Sequence, residues 1–207
     1  MATQDRFVEW LGDLAQTMAE SQEHLTELDS AIGDADHGSN MARGTAAVAE
    51  LLDGEFPDTA SLLKKAGMTL VSTVGGASGP LYGTFFIRLA GPLAGKSDVS
   101  AAELGAALRA GVDGVLQRGK AEPGDKTMYD AWAPALAAYD EAVTGGSDLG
   151  PALGAAAKAA AEGRDATGPL VARKGRASYL GERSAGHIDP GAASTTLLLE
   201  SAARTLR

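Results

Sequence analysis

A chain of 207 residues with 18 Lys and Arg against 27 Asp and Glu has a formal net charge of −9 at pH 7. That balance argues against nucleic acid or an anionic membrane surface as a partner, because both call for a basic face. At 44% hydrophobic and 22% charged, with no cysteine, the composition is that of a folded chain lacking disulfides, thiolate metal sites and a cysteine nucleophile.

The 41 alanines against ten aromatics favour closely packed helices over sheets. No apolar run approaches the roughly 20 residues that span a bilayer. Asp5, Glu9 and Asp13 keep the N-terminus from reading as a signal peptide, so a cytoplasmic location is expected. In chain order, Phe7, Leu11, Leu14, Met18, Leu25 and Leu28 predict one amphipathic helix over 4–28. The polar turn 32–38 ends it, and Ser39 is the expected N-cap of a second helix through Leu52. Asp58 caps a third helix, and Gly75 to Pro80 separates it from a fourth containing Tyr82, Phe85, Phe86 and Leu89. Ser100 to Glu103 has the form of a capping box and opens a fifth, to about Leu116. A break over 118–125 leads to a helix over 127–143 with Pro134 as a kink site, then to an Ala-rich helix over 148–162. A helical stretch starts near Ala166, and Ala193 to Leu206 closes the chain. The pattern is all-α, a single antiparallel bundle or barrel of about eight helices over 1–207, with no alternating strand and no internal repeat. The long polar segment 174–191 is the expected functional loop.

Three carboxylates, Asp29, Asp34 and Asp36, gather at one helix end. Like charges that close repel, and a divalent cation is the usual compensation; oxygen ligands alone select Mg²⁺, Mn²⁺ or Ca²⁺. Spacing alone leaves a solvated acidic loop open. An EF-hand fails, because Gly38 and Thr45 occupy positions that need Asp/Asn and Glu. His37-Gly38-Ser39-Asn40 and Gly75-Gly76-Ala77-Ser78-Gly79 each open a helix and suit an anion, although either also serves as a helix–helix turn. Residues 114–120 mimic a P-loop but end a helix and lack its Ser/Thr. Ser184, His187 and Asp189 lack a nucleophile-elbow context, and no Glu-x-x-His pair supports a di-iron site. Lys126, Lys174, Arg176 and Arg183 are candidates for phosphates or for a partner's acidic face, and equally for ordinary surface charges.

Four blocks, residues 33–41, 76–83, 124–130 and 174–192, resemble in order the motifs of the dihydroxyacetone kinase L-subunit family. Two positions depart from the pattern: Ala35 where Gly is usual and Tyr129 where Leu is usual. The resemblance implies an eight-helix barrel with two Mg²⁺ and an adenine nucleotide (ADP or ATP) at one end. It makes Asp29, Asp34 and Asp36 the metal ligands and places His37, Gly38, Ser39 and Asn40 along the nucleotide. Ser78 and Gly79 would stand beside the phosphates. Gly119, Met128, Arg176 and the Asp189-Pro190-Gly191 turn would pack around the adenosine, under the 174–191 loop as a lid. No residue of the chain is expected to act on the substrate directly. The ketone is expected on a separate K subunit, for which 207 residues leave no room. A free-standing L chain resembles the system that draws phosphate from the sugar phosphotransferase pathway, in which a phosphohistidine partner recharges bound ADP. Two alternatives stand beside this: a subunit of an ATP-dependent kinase for another short sugar, and a non-catalytic nucleotide-sensing module. A homodimer remains open.

Overall fold

The spacing that predicts one helix over 4–28 yields two, because no apolar residue anchors the chain between Met18 and Leu25. In the computed structural model, which describes residues 1–207, α1 (Gln4–Glu20) buries Phe7, Trp10, Leu11, Leu14 and Met18. The chain breaks at Ser21, and α2 (Gln22–Ile32) buries Leu25, Asp29 and Ile32. There follow α3 (His37–Ala49), α4 (Thr59–Thr73), α5 (Ser78–Ala90), α6 (Ala101–Gly119), α7 (Tyr129–Thr144), α8 (Leu149–Ala166) and α9 (Pro190–Thr205). Counted with α1 and α2 as one broken helix, these are the eight helices expected.

Packing closes them into a ring. Each of α3 to α9 packs on the next, α9 returns to α1, and α1 packs on α3. Short connections between α3 and α8 make sequential neighbours antiparallel, the longer 167–189 segment leads into α9, and the ring is a barrel of helices. The short helix α2 lies at one end, against α3 and α9.

Forty-four buried residues form one core cluster. Its centre is aromatic: Phe85 stacks on Trp132 at 4.7 Å between ring centroids, and Trp10 meets Phe86 at 5.5 Å. Burying each such side chain contributes about 1.5–3 kcal/mol, and the Trp10 indole N–H donates to the Leu198 carbonyl at 3.3 Å.

The predicted capping box exists: the Ser100 and Glu103 side chains each accept the other's backbone N–H. Several expectations need correction. The N-cap position of α3 is Asp36; Ser39 lies inside the first turn, where its hydroxyl donates back to the Asp36 carbonyl at 2.9 Å. No helix starts near Ala166. That residue instead ends α8, where the Thr167 hydroxyl turns back onto the Arg164 carbonyl. The last helix starts at Pro190 rather than Ala193, with Asp189 as its cap and proline in the position its fixed φ favours. The polar segment is not structureless, since Arg176–Ser184 forms 3₁₀ turns bent at Gly181. Two residues do pair as strand: β1 (Ala2–Thr3) lies antiparallel to β2 (Asp98–Val99) and ties the N-terminus to the α5–α6 connection. Helix α7 runs without interruption through Pro134.

Candidate functional site

The turn between α2 and α3 is built around one carboxylate. Asp29, in the last turn of α2, is buried, and its Oδ2 accepts the backbone N–H of Asp36 at 2.8 Å and of His37 at 3.1 Å. Gly33 is required beside it, because a Cβ there would sit 2.0 Å from Asp29 Oδ1. The clamp forces Ala35 to a φ of +59°. As a result one oxygen each of Asp29, Asp34 and Asp36 fall within 4.8 Å of one another. Such a set of hard oxygen donors fits Mg²⁺, Mn²⁺ or Ca²⁺. Arg176 reaches across to Asp34, Nη2 to Oδ2 3.0 Å, and ties the 3₁₀ segment to this turn.

The cluster opens into a cavity at which three helix N-termini meet: α3 through Asp36 and His37, α5 through Ala77 and Ser78, and α9 through Asp189, Pro190 and Gly191. Each terminus carries a partial positive charge, so the set is a seat for a polyanion beside a cation site. The Asp36 and His37 amides are already taken by Asp29, and the Ala192 amide by Asp189. Ile32, Leu81 and Met128 supply apolar wall, and Lys174 to Ala177 cover one side. A larger cavity of about 840 Å³ lies between α4, α5 and α6. It has no such convergence of carboxylates and helix ends, and chemistry rather than size selects the site.

Of the fifteen residues singled out from the sequence, ten line this cavity: Asp29, Asp34, Asp36, His37, Ser78, Met128, Arg176, Asp189, Pro190 and Gly191. The other five lie behind its wall. Gly38 lets α3 close onto α2, where a Cβ would meet the Gln22 carbonyl at 2.0 Å, and Gly79 packs likewise on the Val74 carbonyl. The buried Asn40 accepts from Arg43 and lies under Gly75. Ser39 bonds its own turn, and Gly119 backs Leu81.

Lys126 is not a phosphate ligand. Its ammonium is buried among the carbonyls of Thr167, Gly168, Leu170 and His187 at 2.5–3.3 Å, stapling the end of α8 to the strap that leads into α9. Burial pulls its pKa below the usual lysine value, against the neighbouring Asp189 charge. Asp130 holds the turn before it, with its carboxylate accepting from the N–H groups of Gly124 and Thr127. The third family block, residues 124–130, is thus a scaffold for the cavity floor. A Gly-flanked Asp-Lys with an Asp four residues on was the available signal, and only the fold shows where the ammonium goes. Ser184 is also structural: its hydroxyl accepts from the Ala172 N–H and donates to the Gly181 carbonyl.

Two titrations are displaced on the cavity floor. Burial pushes the Asp189 carboxyl up to about 7, the Asp130 charge adds to this, and the Ala192 and Gly191 amides and Lys126 oppose it. Burial pulls the His37 imidazole below its ordinary value, although Asp29 and Asp36 favour its charged form.

Comparison with known proteins agrees with this geometry. Residues 31–204 match the family described as the DAK2 domain. The sequence is 47% identical over 196 residues to the PEP-dependent dihydroxyacetone kinase ADP-binding subunit DhaL of Escherichia coli (strain K12), covering 94% of this chain and 93% of that one. It is 40% identical over 202 residues to the PTS-dependent dihydroxyacetone kinase ADP-binding subunit DhaL of Lactococcus lactis subsp. lactis, covering 97% of each. The fold matches the crystal structure of the dihydroxyacetone kinase from C. freundii in complex with AMP-PNP and Mg²⁺ at a TM-score of 0.73 and 27% identity, over 95% of this chain and 33% of that one. With a family match over most of its length and near-full-length relatives of this identity, the chain belongs to the dihydroxyacetone kinase L-subunit family.

Proposed function

We propose that this chain is the ADP-binding subunit of a dihydroxyacetone kinase fed by the sugar phosphotransferase pathway. It holds ADP or ATP with two Mg²⁺ on Asp29, Asp34 and Asp36. The γ-phosphate passes to dihydroxyacetone held on a separate K subunit, and a phosphohistidine partner recharges the ADP. The carrying observation is the convergence of three carboxylates and three helix N-termini on one cavity. It provides for a cation and a polyanion side by side. The relatives matched along their whole length are named as ADP-binding subunits, which supports a carrier over a self-contained kinase.

The ions would neutralise phosphate charge and hold the terminal phosphate in line for displacement. The chain's own residues position. Asp29 is pre-oriented by the amides of Asp36 and His37, so the cluster needs no rearrangement to present its oxygens. The N-termini of α3, α5 and α9 would lend their partial positive charge to phosphate oxygens. Leu81 and Met128 give the base an apolar wall, and Arg176 holds the covering strap to the metal turn.

Nucleotide content and exchange test this. Gently purified protein is expected to release tightly held ADP with Mg²⁺, and that ADP to exchange with labelled ATP more slowly than turnover. Exchange faster than turnover makes ATP an ordinary cosubstrate and removes the phosphohistidine step. Protein with no affinity for either nucleotide refutes the assignment.

A further inference from the structure

We propose that Ser194, which has no place in the cavity wall, is a positioning residue that sets the Ser78 hydroxyl through the imidazole of His37; this deepens the nucleotide reading and rests on it. Ser194 lies in the second turn of α9 and is fully buried. Its Oγ stands 2.9 Å from His37 Nε2, and the other ring nitrogen, Nδ1, stands 3.1 Å from Ser78 Oγ at the cavity wall. The imidazole therefore bridges α3, α5 and α9, gripped at both edges. A ring held at one edge alone can swing about its Cβ–Cγ bond; held at both, its plane is set. Ser194 is itself held from behind. The Tyr82 hydroxyl lies 2.6 Å from its Oγ and 3.1 Å from Thr195 Oγ1, with the Gly191 carbonyl within 3.3 Å of both the Ser194 and Tyr82 hydroxyls. The relay has Ser194 donate its one proton to His37 Nε2, so that the ring donates from Nδ1 to Ser78 and leaves the Ser78 proton free.

The direction of the relay follows from exposure. Ser194 and Tyr82 are buried, His37 nearly so, and Ser78 alone of the four is half-exposed, at the end where three helix termini converge. Its hydroxyl has the ring as its protein partner and the cavity as its other neighbour. Fixing the ring leaves that hydroxyl one orientation, aimed at whatever anion the α5 N-terminus binds. A serine buried only to satisfy the core would have no reason to end on a cavity-lining hydroxyl.

A double-mutant cycle on the full chain, read as the dissociation constant for ADP with Mg²⁺, separates positioning from mere packing. Ser78→Ala is expected to weaken ADP about tenfold, as loss of one phosphate hydrogen bond does. Ser194→Ala is expected to weaken it about three- to tenfold alone, but by less than about twofold when Ser78 is already alanine, because its effect travels through that hydroxyl. Tyr82→Phe keeps the serine and removes only the group behind it. It should show the same dependence on Ser78 with a smaller effect, and it serves as the test if Ser194→Ala does not fold. Equal weakening by Ser194→Ala, or by Tyr82→Phe, in both backgrounds overturns the relay and leaves the nucleotide site standing. So does no weakening in either. Failure of the unsubstituted protein to bind ADP overturns the nucleotide reading itself and the relay with it.

Discussion

Ala35→Gly should make this protein more stable, although glycine usually loosens a chain. Ala35 sits between two carboxylates of the cluster at φ +59°, with its side chain exposed. The conformation is imposed from outside. Asp29 accepts the N–H groups of Asp36 and His37 on its side chain and that of Gly33 on its carbonyl at 2.6 Å, so the turn has no freedom to relax. A left-handed conformation costs a residue with a Cβ about 1–2 kcal/mol. Glycine removes that cost but returns about 0.4–1 kcal/mol of unfolded-chain entropy. No packing is lost at an exposed methyl. The balance is a gain of about 0.5–1 kcal/mol, and at this chain length roughly 2–4 °C in Tm for each kcal/mol. Thermal unfolding in excess EDTA without nucleotide isolates the backbone effect from ligand binding. Ala35→Val should move the other way by more than about 1 kcal/mol, because a β-branched side chain at positive φ is an outlier. A fall in Tm for the glycine variant, or a rise for the valine, would mean that the strain is not there.

Two further predictions concern the cavity floor. Lys126→Met should cost about 3–5 kcal/mol in urea unfolding, since it strips four carbonyls and the buried Asp189 of their cation; a loss under about 1 kcal/mol would show that water replaces the ammonium. Asp189 has a folded pKa raised to about 7 from 3.8, so its contribution is fully present below pH 3.8 and lost as pH rises through 7. That swing is on the order of 4 kcal/mol. Asp189→Asn keeps a capping oxygen for the Ala192 N–H but does not titrate, so the variant should gain on the native protein by that amount between pH 4 and 8. Parallel stability curves would remove the claim that burial displaces this carboxyl.

The fold was legible where local rules are strong and failed where tertiary contacts decide. Helical periodicity located α3 to α8, and Ser100 with Glu103 announced α6 through the reciprocal capping bonds it makes. The break at Ser21 was visible only as a gap in apolar anchors, which a periodicity count bridges without noticing. The start of α9 was written in Asp189-Pro190, a cap followed by a favoured first residue, yet the polar run upstream made it read as loop. In the site, the gathering of Asp29, Asp34 and Asp36 was legible from spacing and from the family resemblance. What could not be read was the destination of Lys126. An exposed phosphate-binding lysine and a buried one satisfied by carbonyls are the same letter, and the difference lies in α8 ending where it does. Ser194 was invisible for a similar reason, because the partners that tie it to the cavity, Tyr82 and His37, are 112 and 157 positions away.

These details give the site a division of charge. On the proposed reading a nucleotide would bring several negative charges into a protein that already carries a net −9. The acidic groups facing it are not spread around the cavity. Asp29, Asp34 and Asp36 are gathered at one edge, where a divalent cation would turn them from repulsive to attractive. The carboxyl on the cavity floor, Asp189, is shifted toward its neutral form by its own burial. Between them lie helix N-termini, an imidazole, hydroxyls and apolar wall, with Lys174 and the Asp34-paired Arg176 on the covering side. Lys126 contributes by being withdrawn: with its ammonium spent on carbonyls behind the floor, it adds no fixed cation to compete with the metal for phosphate. The polyanion would then be held mainly through the metal edge and neutral donors. Such an arrangement makes nucleotide affinity depend on the divalent ion far more than on salt, because neutral backbone donors are not screened as surface charges are.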